Sequence, residues 1–361
     1  MASRCLPVLH LIWRLMPLSI VVTACAPASV PSPVVVRETV EIPVPVEVPA
    51  DPGELVVYSG RAESLVAPII EQFSESTGID VQVRYGSTGE LAATLLEEGA
   101  NSPADVFWAQ DPGGLGAVAE AGLAAMLPAD ILGQVPPRFR SPEGSWVGIS
   151  GRARVVVYNT ERVRPEDLPD DILDFVDPVW RGRIGWAPTN GSFQTMVTGM
   201  RQIWGEDKTR EWLEGIQSNK PVAYENNTAI VAAVGAGEVE VGFVNHYYLY
   251  RFLAEQGETF PARNHFLPGG GPGSLVMVAG ASRIATGANE GNALKFIDFL
   301  LSPVAQQYFA TQTFEYPLVE GVVTPRELTP LSELNALDVD LADLADLQGT
   351  AELLVDLGIV Q

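Results

Sequence analysis

The sequence is poor in cysteine, histidine and basic residues. It has two cysteines and three histidines in 361 residues. This small number excludes a zinc site built from a cluster of cysteine or histidine ligands. Lysine and arginine total 22 against 45 aspartates and glutamates, a formal net charge of −23. We therefore expect no nucleic-acid partner, because neutralising phosphates requires a basic face.

Motifs typical of enzymes and nucleotide-binding proteins are also missing. Residues 148–151 begin like a nucleophile elbow, but Arg152 stands where that motif requires glycine. No Walker A sequence occurs, and the glycines at 235 and 237 precede a predicted strand instead of opening a helix. We therefore predict a binding protein and not an enzyme.

Residues 1–24 are typical of a signal peptide for export. Arg4 and Arg14 accompany a short apolar run, residues 15–22, which is far below the roughly 20 residues of a membrane span. The run leads to Cys25 in the order apolar, small, small, cysteine, which resembles a bacterial lipobox. We expect Cys25 to be lipidated and to anchor the mature chain at a membrane. An ordinary signal peptide followed by a chance cysteine is the alternative.

The next segment is rich in proline. Between Ala26 and Gly53, prolines are separated mainly by valine and glutamate. Such proline density prevents helix and sheet pairing and favours extended chain. We interpret residues 25–53 as the lipidated cysteine and a semi-rigid tether, with a globular body from Glu54 onward.

The body alternates between strand and helix patterns, which predicts an α/β fold with a mostly parallel sheet. Predicted strands lie at 54–58, 79–83, 105–108, 155–158, 184–186, 239–244 and 275–279. Predicted helices lie at 64–76, 90–98, 115–121, 193–204, 228–234, 248–254, 289–301 and 303–311. The last segment, residues 326–361, repeats leucine and aspartate at 337–344, where we expect a solvated acidic helical face.

The most distinctive local feature is the pair Tyr247-Tyr248, which follows the predicted strand 239–244. Asn245 is a good helix N-cap, so both tyrosines are expected where a strand ends and a helix begins. In open α/β sheets, ligands bind at this carboxyl edge of the strands, and two phenols can converge there. The alternative is that both rings only pack in the core.

Two further features indicate an anion site. Residues 187–193 and 226–228 place small and amide side chains just before a predicted helix, where free backbone N–H groups bind anions. Arg152 and Arg154 stand at the expected crossover between two domains, and guanidinium groups in a cleft bind oxyanions bidentately. Solvated surface arginines are the alternative.

The chain from about Glu54 to Pro325 resembles the periplasmic ferric-iron-binding proteins of ABC importers. The matching segments, in chain order, are 57–60, 102–107, 150–158, 183–185, 188–191, 245–248 and 315–318. The resemblance implies a two-lobe periplasmic-binding-protein fold with hinge strands, similar to type II, that closes over its ligand. It places residues 54–151 and 272–325 in an N-terminal lobe and residues 152–271 in a C-terminal lobe.

The same resemblance implies a function and its residues. Tyr247 and Tyr248 match phenolate ligands of Fe(III), the cargo, and a synergistic anion, carbonate or phosphate, completes the coordination in many members. The positions that match anion-binding residues are Arg152, Arg154, Asn190, Gly191, Ser192, Asn227 and Asn245. The implied partners are an ABC permease and its ATPase. We expect an exported, periplasmic or cell-surface monomer.

Three positions depart from the family pattern. Ala62, Gln110 and Phe193 stand where other members have histidine, glutamate and tyrosine ligands. Either anions and water fill more of the iron's coordination sphere, or another side chain substitutes. The possible supplementary ligands are Glu63, Gln110, Asp111 and Tyr85.

The sequence also leaves a second cargo open. The same fold can bind an organic or phosphorylated anionic solute instead of iron. In that case Asn190, Asn227 and the two arginines are the primary ligands, and the tyrosines stack on the solute.

Overall fold

The computed structural model of the protein describes residues 52–336, 341–344 and 346–361. The predicted signal peptide, Cys25 and all but the end of the tether lie outside these residues. No helix in the described part of the chain is long and apolar enough to cross a membrane.

Strands and helices alternate along the chain. The strands are β1 (Glu54–Ser59), β2 (Asp80–Tyr85), β3 (Val106–Ala109), β4 (Ala124–Ala125), β5 (Val147–Asn159), β6 (Ile184–Trp186), β7 (Val222–Ala223), β8 (Val241–Asn245), β9 (Ala262–His265), β10 (Val276–Ile284) and β11 (Tyr316–Pro317). The α-helices are α1 (Glu63–Thr77), α2 (Thr88–Glu98), α3 (Pro112–Glu120), α4 (Ala129–Leu132), α5 (Gly191–Trp204), α6 (Glu206–Ser218), α7 (Asn227–Ala236), α8 (Tyr247–Gln256), α9 (Glu290–Leu301), α10 (Pro303–Tyr308) and α11 (Leu347–Asp356). Every predicted strand and helix of the body is present, whereas α4, α6 and the short strands β4, β7, β9 and β11 were not predicted.

The main strands form a mixed sheet in the order β2-β1-β3-β10-β5-β8-β6-β7. β1 pairs in parallel with β2 and β3, and β6 pairs in parallel with β7 and β8, as strand–helix–strand units require. The central strands β10 and β5 are antiparallel to each other and to their outer neighbours β3 and β8. The prediction of a mostly parallel sheet is therefore wrong at its centre, where two long strands pair without a crossover helix.

The apolar core divides on either side of this central pair. One cluster combines residues of 55–153 with residues of 247–344. Two others consist of residues between 155 and 267 together with Leu353 and Leu354. Along β5, Val156 faces one of these clusters and Val155 and Val157 face the other, as the period of two in a strand dictates. The first lobe thus contains β1–β3, the second contains β6–β8, and β5 and β10 join them.

The C-terminal segment differs from the prediction of a solvated face. Leu341 and Leu344 are buried in the first core cluster, and Leu353 and Leu354 of α11 are buried in the second. The hydroxyls of Thr198 in α5 and Thr350 in α11 lie 2.8 Å apart. Leu341 and Leu344 of the repeat therefore belong to the core, because an amphipathic segment buries its apolar face. Residues 337–340 and 345 of this segment lie outside the described part of the chain.

Candidate functional site

A cavity of about 380 Å³ lies between loops of the two lobes. Its lining includes Gly60 and Ala62 after β1, Gln110 and Asp111 after β3, and Asn190 and Gly191 at the start of α5. These loops follow the carboxyl ends of strands, the edge at which open α/β sheets bind ligands. Four of the predicted site residues, those at 110, 111, 190 and 191, therefore line one cavity.

The tyrosine pair lies where the sequence predicts it, with one residue between the end of β8 and the start of α8. The rings of Tyr247 and Tyr248 stack with centroids 4.2 Å apart and planes at 27°. Tyr247 is fully buried, and its hydroxyl has no hydrogen-bond partner among the described residues. Its ring packs in the first core cluster, as the alternative interpretation expects, but core packing does not account for a buried hydroxyl without a partner.

Burial raises the pKa of Tyr247 well above its usual range, and the neighbouring Tyr248 adds to this rise. The positive charges of Arg61 and Arg152 act in the opposite direction. In the cation-free protein the phenol of Tyr247 is therefore protonated. A bound cation reverses this balance, because it lowers the pKa of a group that coordinates it.

Arg152 and Arg154 lie on the same face of β5 and are buried, with exposed fractions of 0% and 1%. Such burial is incompatible with solvated surface arginines. Arg152 Nη1 donates to the hydroxyl of Ser192 at 3.1 Å, and Arg154 Nη1 donates to Asn245 Oδ1 at 3.1 Å. Arg152 Nε, Arg154 Nε and Arg154 Nη2 remain buried without a partner in the described structure. These three nitrogens can only donate hydrogen bonds, so a ligand that satisfies them must supply acceptor oxygens.

The amide side chains of the predicted anion site form one hydrogen-bond network at the start of α5. Asn190 Oδ1 accepts from the backbone N–H of Ser192 at 3.1 Å and from Asn227 Nδ2 at 3.3 Å. Ser192 Oγ accepts from Asn245 Nδ2 at 3.1 Å and from Gln110 Nε2 at 3.4 Å. The network brings together residues from both lobes, because Gln110 follows β3 and the others belong to the second lobe.

The prediction that Asn245 caps the helix is wrong. His246 occupies the N-cap position of α8, with helical backbone angles and no capping hydrogen bond from its side chain. The side chain of Asn245 is instead engaged by Arg154 and Ser192. Its role is therefore to join β5, β8 and α5.

His246 is a structural residue and not a free ligand. Its Nδ1 accepts from the backbone N–H of Ala153 at 3.1 Å, so Nε2 carries the proton and donates to the carbonyl of Phe314 at 2.8 Å. Burial lowers its pKa to about 3. The ring is therefore neutral and both of its nitrogens are occupied.

The candidate supplementary ligands separate into two groups. Gln110 and Asp111 line the cavity, and Asp111 also caps α3 by accepting from Gly114 N–H at 3.5 Å. Burial raises the pKa of Asp111, while the charge of Arg152 lowers it. Glu63 is exposed in the first turn of α1 and Tyr85 is half-buried at the end of β2. Neither residue lines the cavity, and neither do Tyr247 and Tyr248.

Sequence reasoning missed a buried ion pair at this site. Arg61 Nη2 donates to both carboxylate oxygens of Glu315 at 2.7 Å, and both side chains have no exposed surface. Arg61 directly follows Gly60 at the end of β1, and Glu315 opens the segment 315–318. Both segments were recognised as resemblances, but nothing local in the sequence pairs two residues that lie 254 positions apart.

No group of three or more histidine, cysteine, aspartate or glutamate side chains in the described residues is arranged to hold a metal ion. A hard cation at this site therefore depends on the phenol oxygens and on oxygens that a second ligand brings. The buried guanidinium donors around the phenols provide a place for such an anion.

Comparison with known proteins agrees with this geometry. The sequence profile of the bacterial extracellular solute-binding protein family matches residues 101–340. The Fe(3+)-binding periplasmic protein of Serratia marcescens is 34% identical over 313 residues, which cover 86% of this chain and 92% of that protein. This chain belongs to the solute-binding protein family, in its ferric-iron-binding group.

Two solved structures of the family confirm the fold. Iron-bound HitA from Pseudomonas aeruginosa superposes with a TM-score of 0.81 at 35% identity, over 84% of this chain and 99% of that one. Trichodesmium IdiA (FutA), in complex with iron and citrate ligands, superposes with a TM-score of 0.74 at 30% identity, over 85% and 99% of the two chains. The prediction of a two-lobe α/β binding-protein fold is confirmed.

Proposed function

We propose that this protein captures ferric iron between its two lobes and delivers it to an ABC permease and its ATPase. The observation that carries the proposal is the stacked Tyr247-Tyr248 pair, in which the buried phenol of Tyr247 has no partner among residues 52–336, 341–344 and 346–361. Phenolate oxygen suits a hard trivalent cation, and the cation itself promotes loss of the phenol proton. The Serratia relative is named as an Fe(3+)-binding protein and the Pseudomonas structure is of iron-bound HitA, and both support iron as the cargo of this protein.

An oxyanion, carbonate or phosphate, completes the site in this proposal. A cation cannot satisfy the unpartnered N–H groups of Arg152 and Arg154, whereas anion oxygens accept from them. The start of α5 adds backbone N–H groups and the positive end of the helix dipole. The anion-binding set is Arg152, Arg154, Asn190, Gly191, Ser192, Asn227 and Asn245.

The same unpartnered guanidinium groups support a second candidate, an organic or phosphorylated anion without iron. A true ligand raises the unfolding temperature by mass action. Stabilisation by a sugar phosphate or by inorganic phosphate, without any by ferric citrate, would favour this second cargo over iron.

The test of the iron proposal is a titration with ferric citrate followed by visible absorption. The unmodified protein is expected to develop a phenolate-to-iron charge-transfer band, and the Tyr247→Phe/Tyr248→Phe variant is expected to lose it. Tyr250→Phe is the matched control, since Tyr250 lies in α8 but donates to the carbonyl of Glu327 at 2.7 Å. A colourless unmodified protein, or a band that survives in the double variant, contradicts the proposal.

We also propose that the protein works outside the cytoplasm as a monomeric lipoprotein. The leader at 1–24, the lipobox-like sequence before Cys25 and the proline-rich tether support this location. The tether lets the body reach the permease while the acyl chains of Cys25 hold it at the membrane.

A further inference from the structure

Burying the ion pair between Arg61 and Glu315 is unfavourable, because both charges lose their hydration. Removing two charges from water costs several kcal/mol per ion unless geometry and further hydrogen bonds offset it. The bidentate contact, together with the hydroxyl of Thr313, which donates to Glu315 at 2.9 Å, supplies part of that compensation. Arg61 nevertheless keeps Nε and Nη1 buried without a partner in the described residues.

The segment that carries Glu315 is docked on the first turn of α8. The residues on either side of it both contact His246: the carbonyl of Phe314 accepts from Nε2 at 2.8 Å, and the ring of Tyr316 stacks at 4.6 Å. His246 immediately precedes Tyr247 in the chain. Glu315, and the guanidinium that it holds, therefore lie beside the tyrosine pair.

The charge of Arg61 reaches both phenols, and the interaction is favourable when they are negative. Both hydrogen bonds to Glu315 come from Nη2, which leaves the N–H groups of Nε and Nη1 available to a ligand. These donors and the hydroxyl of Tyr247 are all buried, and none has a partner in the part of the chain that the structure describes. A site of this kind is complete only when acceptor oxygens are present.

We infer that Arg61, held by Glu315, is a positioning residue for the cargo, and this inference rests on the proposed function. Its free N–H groups donate to the oxygen ligands that surround the bound cation. Arg61 lies two residues after β1 of the first lobe, whereas the tyrosines begin α8, which follows β8 of the second lobe, with the Tyr247 ring packed in the first core cluster. When cargo binds, these donors on Arg61 contact the oxygens held at the tyrosines, and this adds a contact between the two lobes.

The test compares variants that remove the whole pair, so that no unpaired charge stays buried. Arg61→Met/Glu315→Leu is expected to fold, because replacing both ions with apolar groups is often neutral. Its affinity for ferric citrate is expected to fall by about tenfold or more, the equivalent of a lost charge-assisted hydrogen bond. Its charge-transfer band is expected to move to longer wavelength, since a phenolate that loses a hydrogen-bond donor gives up an electron more easily.

Two variants control this result. Arg183→Met/Glu240→Leu removes a different ion pair, which is only partly buried and joins the residues just before β6 and β8. This control variant is expected to keep the affinity and the band of the unmodified protein. Arg61→Lys retains the charge with fewer fixed donors, and its affinity is expected to lie between those of the unmodified protein and the double variant. If the double variant does not fold, Arg61→Gln/Glu315→Gln, which also leaves no buried charge, is measured in its place with the same two readouts.

The outcomes separate this inference from the proposed function. Unchanged affinity and an unchanged band in the Arg61 variants, with normal iron binding by the unmodified protein, would overturn the inference alone. An unmodified protein that never develops the band would overturn the proposed function.

Discussion

At the scale of single residues, the sequence reveals roles that depend on local order but not those that depend on distant partners. Tyr247 and Tyr248 were predicted at a strand–helix junction because both flanking patterns are local. Asn245 was predicted as a cap from local propensity, but its side chain bonds to Ser192 and Arg154, which lie 53 and 91 positions away. In the fold these contacts replaced the capping bond, because β5 and α5 bring buried polar groups that need partners.

The buried ring of His246 predicts how stability depends on pH. Its pKa is about 3 in the folded protein and about 6.5 when the chain is unfolded. Below pH 6.5 the unfolded chain therefore binds a proton that the folded protein does not. The free energy of unfolding is expected to fall by about 1.4 kcal/mol per pH unit from this group as pH drops from 6 toward 4.

Urea unfolding of the iron-free protein between pH 7 and pH 4 measures this dependence. His246→Gln is expected to be less stable at pH 7, because it loses one of two buried hydrogen bonds, and to show a shallower fall in stability with pH. Equal slopes for the two proteins would show that His246 is not buried in its neutral form.

At the scale of secondary-structure elements, periodicity located the strands and helices but not their full extent. β5 was predicted only at 155–158, where β-branched residues are dense, yet the strand runs from Val147 to Asn159. Its first half contains glycine, serine and arginine and is held by antiparallel pairing with β10. Tertiary pairing overrides weak strand propensity there. Tertiary packing likewise buries Leu341 and Leu344 of the C-terminal repeat.

The inward packing of α11 predicts a large loss of stability for one substitution and almost none for its neighbour. Leu354 is fully buried, so Leu354→Ala is expected to lower the free energy of unfolding by about 2–5 kcal/mol. Val355 has 54% of its surface exposed, so Val355→Ala is the matched control and is expected to change stability by less than about 0.5 kcal/mol. Urea unfolding at pH 7 compares them, and equal effects would show that α11 does not bury Leu354.

At the scale of the whole molecule, the family resemblance predicted two lobes, but it did not predict which residues contact each other between them. The cavity lies where Gln110 of the first lobe donates to Ser192 of the second, and where Arg152 on the connecting strand donates to the carbonyl of Gln110. Such contacts depend on how the lobes meet across β5 and β10, which no segment of sequence encodes by itself. For the same reason the sequence could not show that Gln110 and Asp111 line the cavity whereas Glu63, Tyr85 and the tyrosine pair do not.

The central claim is that Tyr247 and Tyr248 together hold a ferric ion. Anomalous X-ray diffraction at the iron absorption edge, from crystals grown with ferric citrate, tests it most directly. The account predicts one strong anomalous peak at bonding distance from both phenol oxygens. A peak elsewhere in the molecule would contradict it, and so would the absence of any peak although ferric citrate is present in the crystallisation solution.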